Sequence, residues 1–212
     1  MEQSAQLDAE RTAGGRRPNP RLQAWGGLAA IAGALLTVAP GVPGLPPGWF
    51  AGGVQAAVVV TGAVLLVASA TLLAIALVGD RAPLGKAKLG GILLLLFHCW
   101  WFATLLVPES WWFAGGVAAG EASTLLRLLL GIAAGALIAA SWPVRGFNRW
   151  SMLLVAACFS AASYGAYAVM LASPRAGAVA VLLSMLYPLA LVAFGVGHAV
   201  AGRQGSRARA DG

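Results

Sequence analysis

The sequence predicts an all-α polytopic membrane protein, a six-transmembrane-helix bundle arranged as three repeated helical hairpins. Three observations predict it. The chain is 59% hydrophobic and 10% charged, with a mean hydropathy of +0.81, whereas soluble domains carry about 25% charged residues. Its apolar residues fall in six runs, most of them near the length of about 20 residues that a helix needs to cross a bilayer. The runs are unbroken rather than alternating, so each satisfies its backbone hydrogen bonds locally as a helix and not as a barrel strand.

Residues 1–21 carry Arg11, Arg16, Arg17 and Arg21 and a Pro18-Asn19-Pro20 break. They lack apolar periodicity and are expected to form a disordered, basic cytoplasmic tail. The transmembrane domain then spans 22–201. Its first run, Leu22 to Ala39, is short and rich in Ala and Gly. A signal peptide cleaved near Ala39 would place its apolar region unusually late, so an uncleaved first helix is the better reading. The other runs are Gly53 to Val78, Leu89 to Val107, Ala122 to Trp142, Trp150 to Ala172 and Ala178 to Ala201. Pro108 closes the third, and 109–121, with two Glu and two Trp, reads as a loop. Residues 202–212 form a second basic tail with Arg203, Arg207 and Arg209.

Twelve of the fourteen Lys and Arg residues lie in the two tails and in the connectors after runs two and four. Cationic connectors stay on the cytoplasmic side. The expected location is therefore the cell (inner) membrane, multi-pass, with both termini in the cytoplasm and the bilayer as the first partner. Trp25, Trp142 and Trp150 mark the cytoplasmic interface, and Trp49, Trp111 and Trp112 the outer one. The net charge of +7 is thus a threading signal. Nucleic-acid binding, which needs a basic patch on a folded surface, is not expected. The string Trp49-Phe50-Ala51-Gly52-Gly53-Val54 returns as Trp112-Phe113-Ala114-Gly115-Gly116-Val117, each time before an even-numbered helix. This recurrence is the basis for parallel hairpin repeats.

Arg127 lies within the outer half of helix four. At helical spacing it shares a face with Gly120, Ser123, Thr124, Gly131 and Gly135. Small residues mark packing faces in lipid, so Arg127 is expected to point toward other helices; snorkelling to the outer headgroups is the alternative. An ionisable residue at that depth is costly and marks a candidate site. Glu109, from the neighbouring helix end, is the preferred ion-pair partner. Helix five presents Ser160, Ser163, Tyr164 and Tyr167, and helix six presents Ser184, Tyr187, Gly195 and His198, with Pro188 beside Tyr187. Arg127, Glu109, Ser163, Tyr164, Tyr167 and Tyr187 are therefore the candidate ligand-binding residues, lining an outward-facing polar cavity. Interhelical hydrogen bonds that only stabilise packing, about 0.6 kcal/mol each, are the plain alternative. Trp100 and Trp101 sit mid-helix, where packing or lipid contact is the commoner role and a ligand wall the rarer one.

His98 and His198 raise the question of haem. They differ in depth by roughly 9 Å at 1.5 Å per residue, too far for opposed ligands of one haem. Cys99 and Cys158 read as inert packing thiols. No catalytic residues, metal ligands or cofactors are expected, because no phosphate-binding Gly loop, HExxH, GxSxG or paired membrane carboxylates occur. The sequence therefore favours a protein that binds or transports a small or amphiphilic molecule. An accessory, structural or regulatory subunit, holding a membrane-protein partner through its Gly and Ala faces, is the second reading. A membrane-embedded redox enzyme is the third.

Overall fold

The computed structural model describes residues 19–41, 53–78, 86–107, 109–141 and 146–210, and side-chain surroundings at these positions except 77–78, 109–117, 174 and 208–210. Among the described residues all regular structure is helical. We number six long helices: α1 Pro20–Val38, α2 Gly53–Val78, α3 Lys86–Leu106, α4 Glu109–Ala139, α5 Phe147–Ala172 and α6 Gly177–Ala210. All six are long and apolar enough to cross a membrane.

Local chemistry sets several of the ends. The Asn19 side chain accepts hydrogen bonds from the backbone N–H groups of Arg21 and Leu22, and Pro20 follows as the first helical residue. Asn19-Pro20 therefore caps and opens α1 rather than only breaking the chain. Gly146, which precedes α5, has φ of 64°, a left-handed conformation that favours glycine. Two ends differ from expectation. α4 begins at Glu109, so 109–121 is helix and not loop, and its first nine residues stand roughly 14 Å ahead of the apolar window Ala118–Ala139. α6 runs through the basic stretch to Ala210. Charge and glycine end an apolar run without ending a helix.

The helices form a closed ring. Each packs against its neighbours in sequence, and α6 returns to α1. Consecutive helices are antiparallel: the N–H of Asn19 meets the carbonyl of Ala76, Gly91 faces Ala74, Gly135 faces Leu153, and the start of α1 at Pro20 meets Gly202 near the end of α6. Arg21, Lys86, Lys88, Arg149, Arg203 and Arg207 therefore share one end, and Arg175 lies at the other. The hairpin repeat lies partly outside the described residues, since 49–52 and the side chains of 112–117 are not among them.

Glycine permits the closest approaches. A Cβ on Gly27 would run into the backbone of Gly195 and Ala199, and one on Gly195 into the Gly27 carbonyl and Ile31. The α1–α6 seam thus closes backbone to backbone. On α4, Gly131 packs against Phe97 and Ala156, and Gly135 against Leu153. Few polar bonds tie the ring together: Ser69 Oγ donates to the Gly26 carbonyl at 2.7 Å, Asn148 Nδ2 to the Gly197 carbonyl at 3.0 Å, and Gln23 Nε2 to His198 Nδ1 at 3.2 Å. The centre is apolar, with Ala30, Leu66, Leu94, Phe97, Met152, Val155 and Leu191 almost wholly buried. The exterior is apolar too. Only 22–39% of each helix's apolar window is buried within the chain, and large residues such as Leu35, Leu129, Leu182 and Leu189 face outward. That is an exterior suited to hydrocarbon rather than water.

Candidate functional site

Arg127 enters the ring from α4 on the face that continues as Gly131 and Gly135. Those glycines bring α3 and α5 close, and the long arginine stem reaches between them. Its side chain is only 7% exposed, so it points inward and does not snorkel to the rim. Four aromatic rings from three other helices enclose the guanidinium. Its central carbon lies 4.5 Å from the ring centroid of Phe159, 4.7 Å from Phe97, 5.1 Å from Trp101 and 5.2 Å from Tyr187. These are cation–π distances, and desolvation strengthens such contacts. Edge-to-face contacts hold the box, Phe97 to Phe159 at 6.0 Å and Phe159 to Tyr187 at 5.4 Å.

Nη2 of Arg127 donates to Tyr187 Oη at 2.5 Å, crossing the ring from α4 to α6. Nε is buried without a partner. A guanidinium has five N–H donors, and among the described residues this one uses a single donor.

Beside Arg127, between α3, α4 and α5, lies a cavity of about 410 Å³. It occupies the half of the bundle away from the cation-bearing end. α4 contributes Gly120, Ser123, Thr124 and Arg127 at i, i+3, i+4 and i+7; α3 contributes Trp100, Trp101 and Thr104; α5 contributes Phe159 and Ser163. Trp100 Nε1 donates to Ser123 Oγ at 3.0 Å, which fixes that indole. The hydroxyls of Thr104 and Thr124 donate to carbonyls on their own helices, Trp101 and Gly120. Their remaining lone pairs are still available.

α5 changes winding where it meets this cavity. Residues Ala161–Gly165 form a π-helical turn between Phe147–Ser160 and Ala166–Ala172. Such turns are rare and gather at functional sites. Ser163 and Tyr164 lie in it, and the buried Tyr164 hydroxyl has no partner.

Of the candidate residues read from the sequence, Arg127 and Ser163 line the cavity, and Tyr187 binds Arg127 from behind. Tyr164 is in the adjacent π turn but not among the lining residues. Tyr167 is 58% exposed on the outside of α5. The side chain of Glu109 lies outside the described residues. Its backbone opens α4 eighteen residues before Arg127, roughly 27 Å along one continuous helix. The expected ion pair presumed that Glu109 ended a neighbouring helix, and the long α4 removes that premise. Trp100 and Trp101 do form a cavity wall, and Phe97, Trp101 and Phe159 complete the box. Those neighbours are set by tertiary packing, and only the mid-helix position of the tryptophans hinted at it.

No family model, curated protein or solved structure matches this chain.

The remaining polar residues bear on the alternative readings. His98 is buried edge-on to Phe97, with Nδ1 unpartnered. His198 is committed to Gln23 and packs on Phe194. Cys99 and Cys158 are free thiols. Gly131 and Gly135, the proposed partner-binding face of α4, are filled by the chain's own α3 and α5.

Proposed function

We propose that this chain is a multi-pass membrane protein with both termini cytoplasmic, and that it binds a small amphiphilic molecule bearing an anionic group in the cavity beside Arg127. The six apolar helices and their apolar exterior support insertion. The gathering of Arg21, Lys86, Lys88, Arg149, Arg203 and Arg207 at one end supports the orientation, which turns the cavity toward the outer leaflet.

One observation carries the ligand reading: a cation 7% exposed, its Nε buried without a partner and a single donor used among the described residues, beside a cavity lined by hydroxyls and indoles. Removing a charge from water costs several kcal/mol. The four rings offset part of that and leave the hydrogen-bonding capacity open. An anion entering the cavity would meet a desolvated, pre-positioned donor, where charge-assisted hydrogen bonds are strongest. Apolar and aromatic walls with a few convergent polar groups are the usual make-up of a small-molecule pocket. Transport in addition to binding would require the cavity to open to the other side, and the π turn in α5 is the element suited to that change.

The test is native mass spectrometry of the protein released from lipid nanodiscs, comparing the natural sequence with Arg127→Met. A bound small anion present in the first and absent in the second supports the reading. The same adducts on both proteins, or none on either after exposure to membrane extracts, refute it.

A further inference from the structure

The chemical class of the ligand can be narrowed from the walls of the cavity, an inference that rests on the anion-binding reading above. We infer that the site takes a planar aromatic monoanion, with its acidic group on Arg127 and its ring against the aromatic wall that Trp100, Trp101 and Phe159 form.

Charge fixes the first half. Among the described residues that line the cavity, Arg127 is the one cation. A single negative charge neutralises it. A second would be a buried charge without a counter-ion, which is strongly unfavourable. The groups around Arg127 include the hydroxyls of Ser123 and Ser163, which can donate to one carboxylate or sulfonate but supply no further positive charge, while the Thr124 hydroxyl donates to Gly120.

The walls fix the second half. Trp100 is tethered to Ser123 across the gap between α3 and α4. Trp101 is held against the guanidinium at 5.1 Å. Phe159 is 7% exposed and clamped by Phe97 and Tyr187. Three aromatic side chains therefore line the cavity in restrained orientations, with little rotamer freedom left to lose on binding. Rigid flat walls reward a flat ring by offset or edge stacking, beyond the burial of area alone. A flexible acyl chain gains the area without the stacking and must be ordered first. At about 410 Å³ the space lies toward the lower end of the usual range for small-molecule pockets.

The experiment uses the full chain in phosphatidylcholine nanodiscs, with isothermal titration calorimetry corrected by empty discs. The probes are 2-naphthoate, 2-naphthamide, 2-naphthyl phosphate and decanoate. Naphthoate should bind at least tenfold tighter than its neutral amide, than the phosphate at pH 8, where that group is a dianion, and than decanoate. Trp100→Leu, which leaves the Arg127 box intact, should weaken naphthoate about three- to tenfold and leave decanoate unchanged. Decanoate or the phosphate binding as tightly as naphthoate would overturn the aromatic monoanion while leaving anion binding in place. Equal binding of naphthoate and naphthamide, or no binding of any probe, would overturn the anion-binding reading as well. Displacement of naphthoate when phosphatidylglycerol replaces part of the phosphatidylcholine would assign the site to a lipid headgroup and overturn the inference.

Discussion

Replacing Tyr187 by Phe removes one oxygen from the centre of the ring and little else. The ring stays against Phe159, at 5.4 Å, and 5.2 Å from the Arg127 guanidinium. What is lost is the acceptor for Arg127 Nη2. Hydrogen bonds to charged groups contribute about 1.5–3 kcal/mol in water-soluble proteins. Bonds between membrane helices average about 0.6 and reach about 1.7 kcal/mol, because the unfolded segments find other partners in lipid. A charged donor that is 7% exposed belongs at the top of the second range, so Tyr187→Phe should destabilise by about 1.5 kcal/mol. In an Arg127→Met background the hydroxyl has no cation to serve, and the same change should cost less than about 0.5 kcal/mol. Arg127→Met itself should fall within about 1 kcal/mol of the natural protein, since replacing a buried charge by a well-packed apolar residue is often neutral. The assay is unfolding by SDS titration in mixed micelles, followed by circular dichroism. Equal costs of Tyr187→Phe in both backgrounds would refute the coupling.

Further outcomes follow from the packing. Gly27→Ala should cost about 1–3 kcal/mol by forcing the α1–α6 seam apart, whereas Gly120→Ala, which meets open space, should leave stability unchanged or slightly raised; the same SDS titration compares them. Gln23→Leu should cost about 1–3 kcal/mol in that titration by leaving buried His198 Nδ1 unpaired, and a loss below about 0.3 kcal/mol would contradict the bond. Glu109→Gln and Arg127→Met should combine additively within about 0.5 kcal/mol. In a variant with Cys99 and Cys158 replaced by Ala, a membrane-impermeant maleimide added outside intact cells should label Arg175→Cys and spare Lys88→Cys; the reverse pattern would invert the threading.

The sequence reveals whatever depends on hydropathy and little of what depends on neighbours. α2 is read at Gly53 to Val78 and observed at Gly53–Val78; the change in polarity at Gly79-Asp80-Arg81 marks its C-terminal end and the Gly52-Gly53 pair its start. The start of α4 and the end of α6 were hidden because helix and apolar run are different properties. Glu109, Trp111 and Glu121 interrupt hydrophobicity, yet none of them breaks a helix. Arg203 and Arg207 are good helix formers that merely leave the greasy part of α6. The inward face of Arg127 was legible from Ser123, Gly131 and Gly135 at helical spacing, and the depth of Tyr187 from its distance to the turn at Pro174. The π turn at Ala161–Gly165 has no compositional mark, and it alters how Ser163, Tyr164 and Tyr167 are distributed around α5. Phe97, Trp101 and Phe159 come from helices whose rotations no single run discloses.

The ring also has a biosynthetic consequence. α1 emerges from the ribosome first, yet its seam with Gly195 and His198 lies on the helix that emerges last. Gln23 and His198 are 175 residues apart, and at about 5–20 residues per second that interval lasts roughly 10–35 s. Throughout it the Gln23 amide has no imidazole to bind and Gly27 no backbone to nestle against. A chain that stops before α6 therefore lacks both the partner of the Gln23 amide and the backbone against which Gly27 packs.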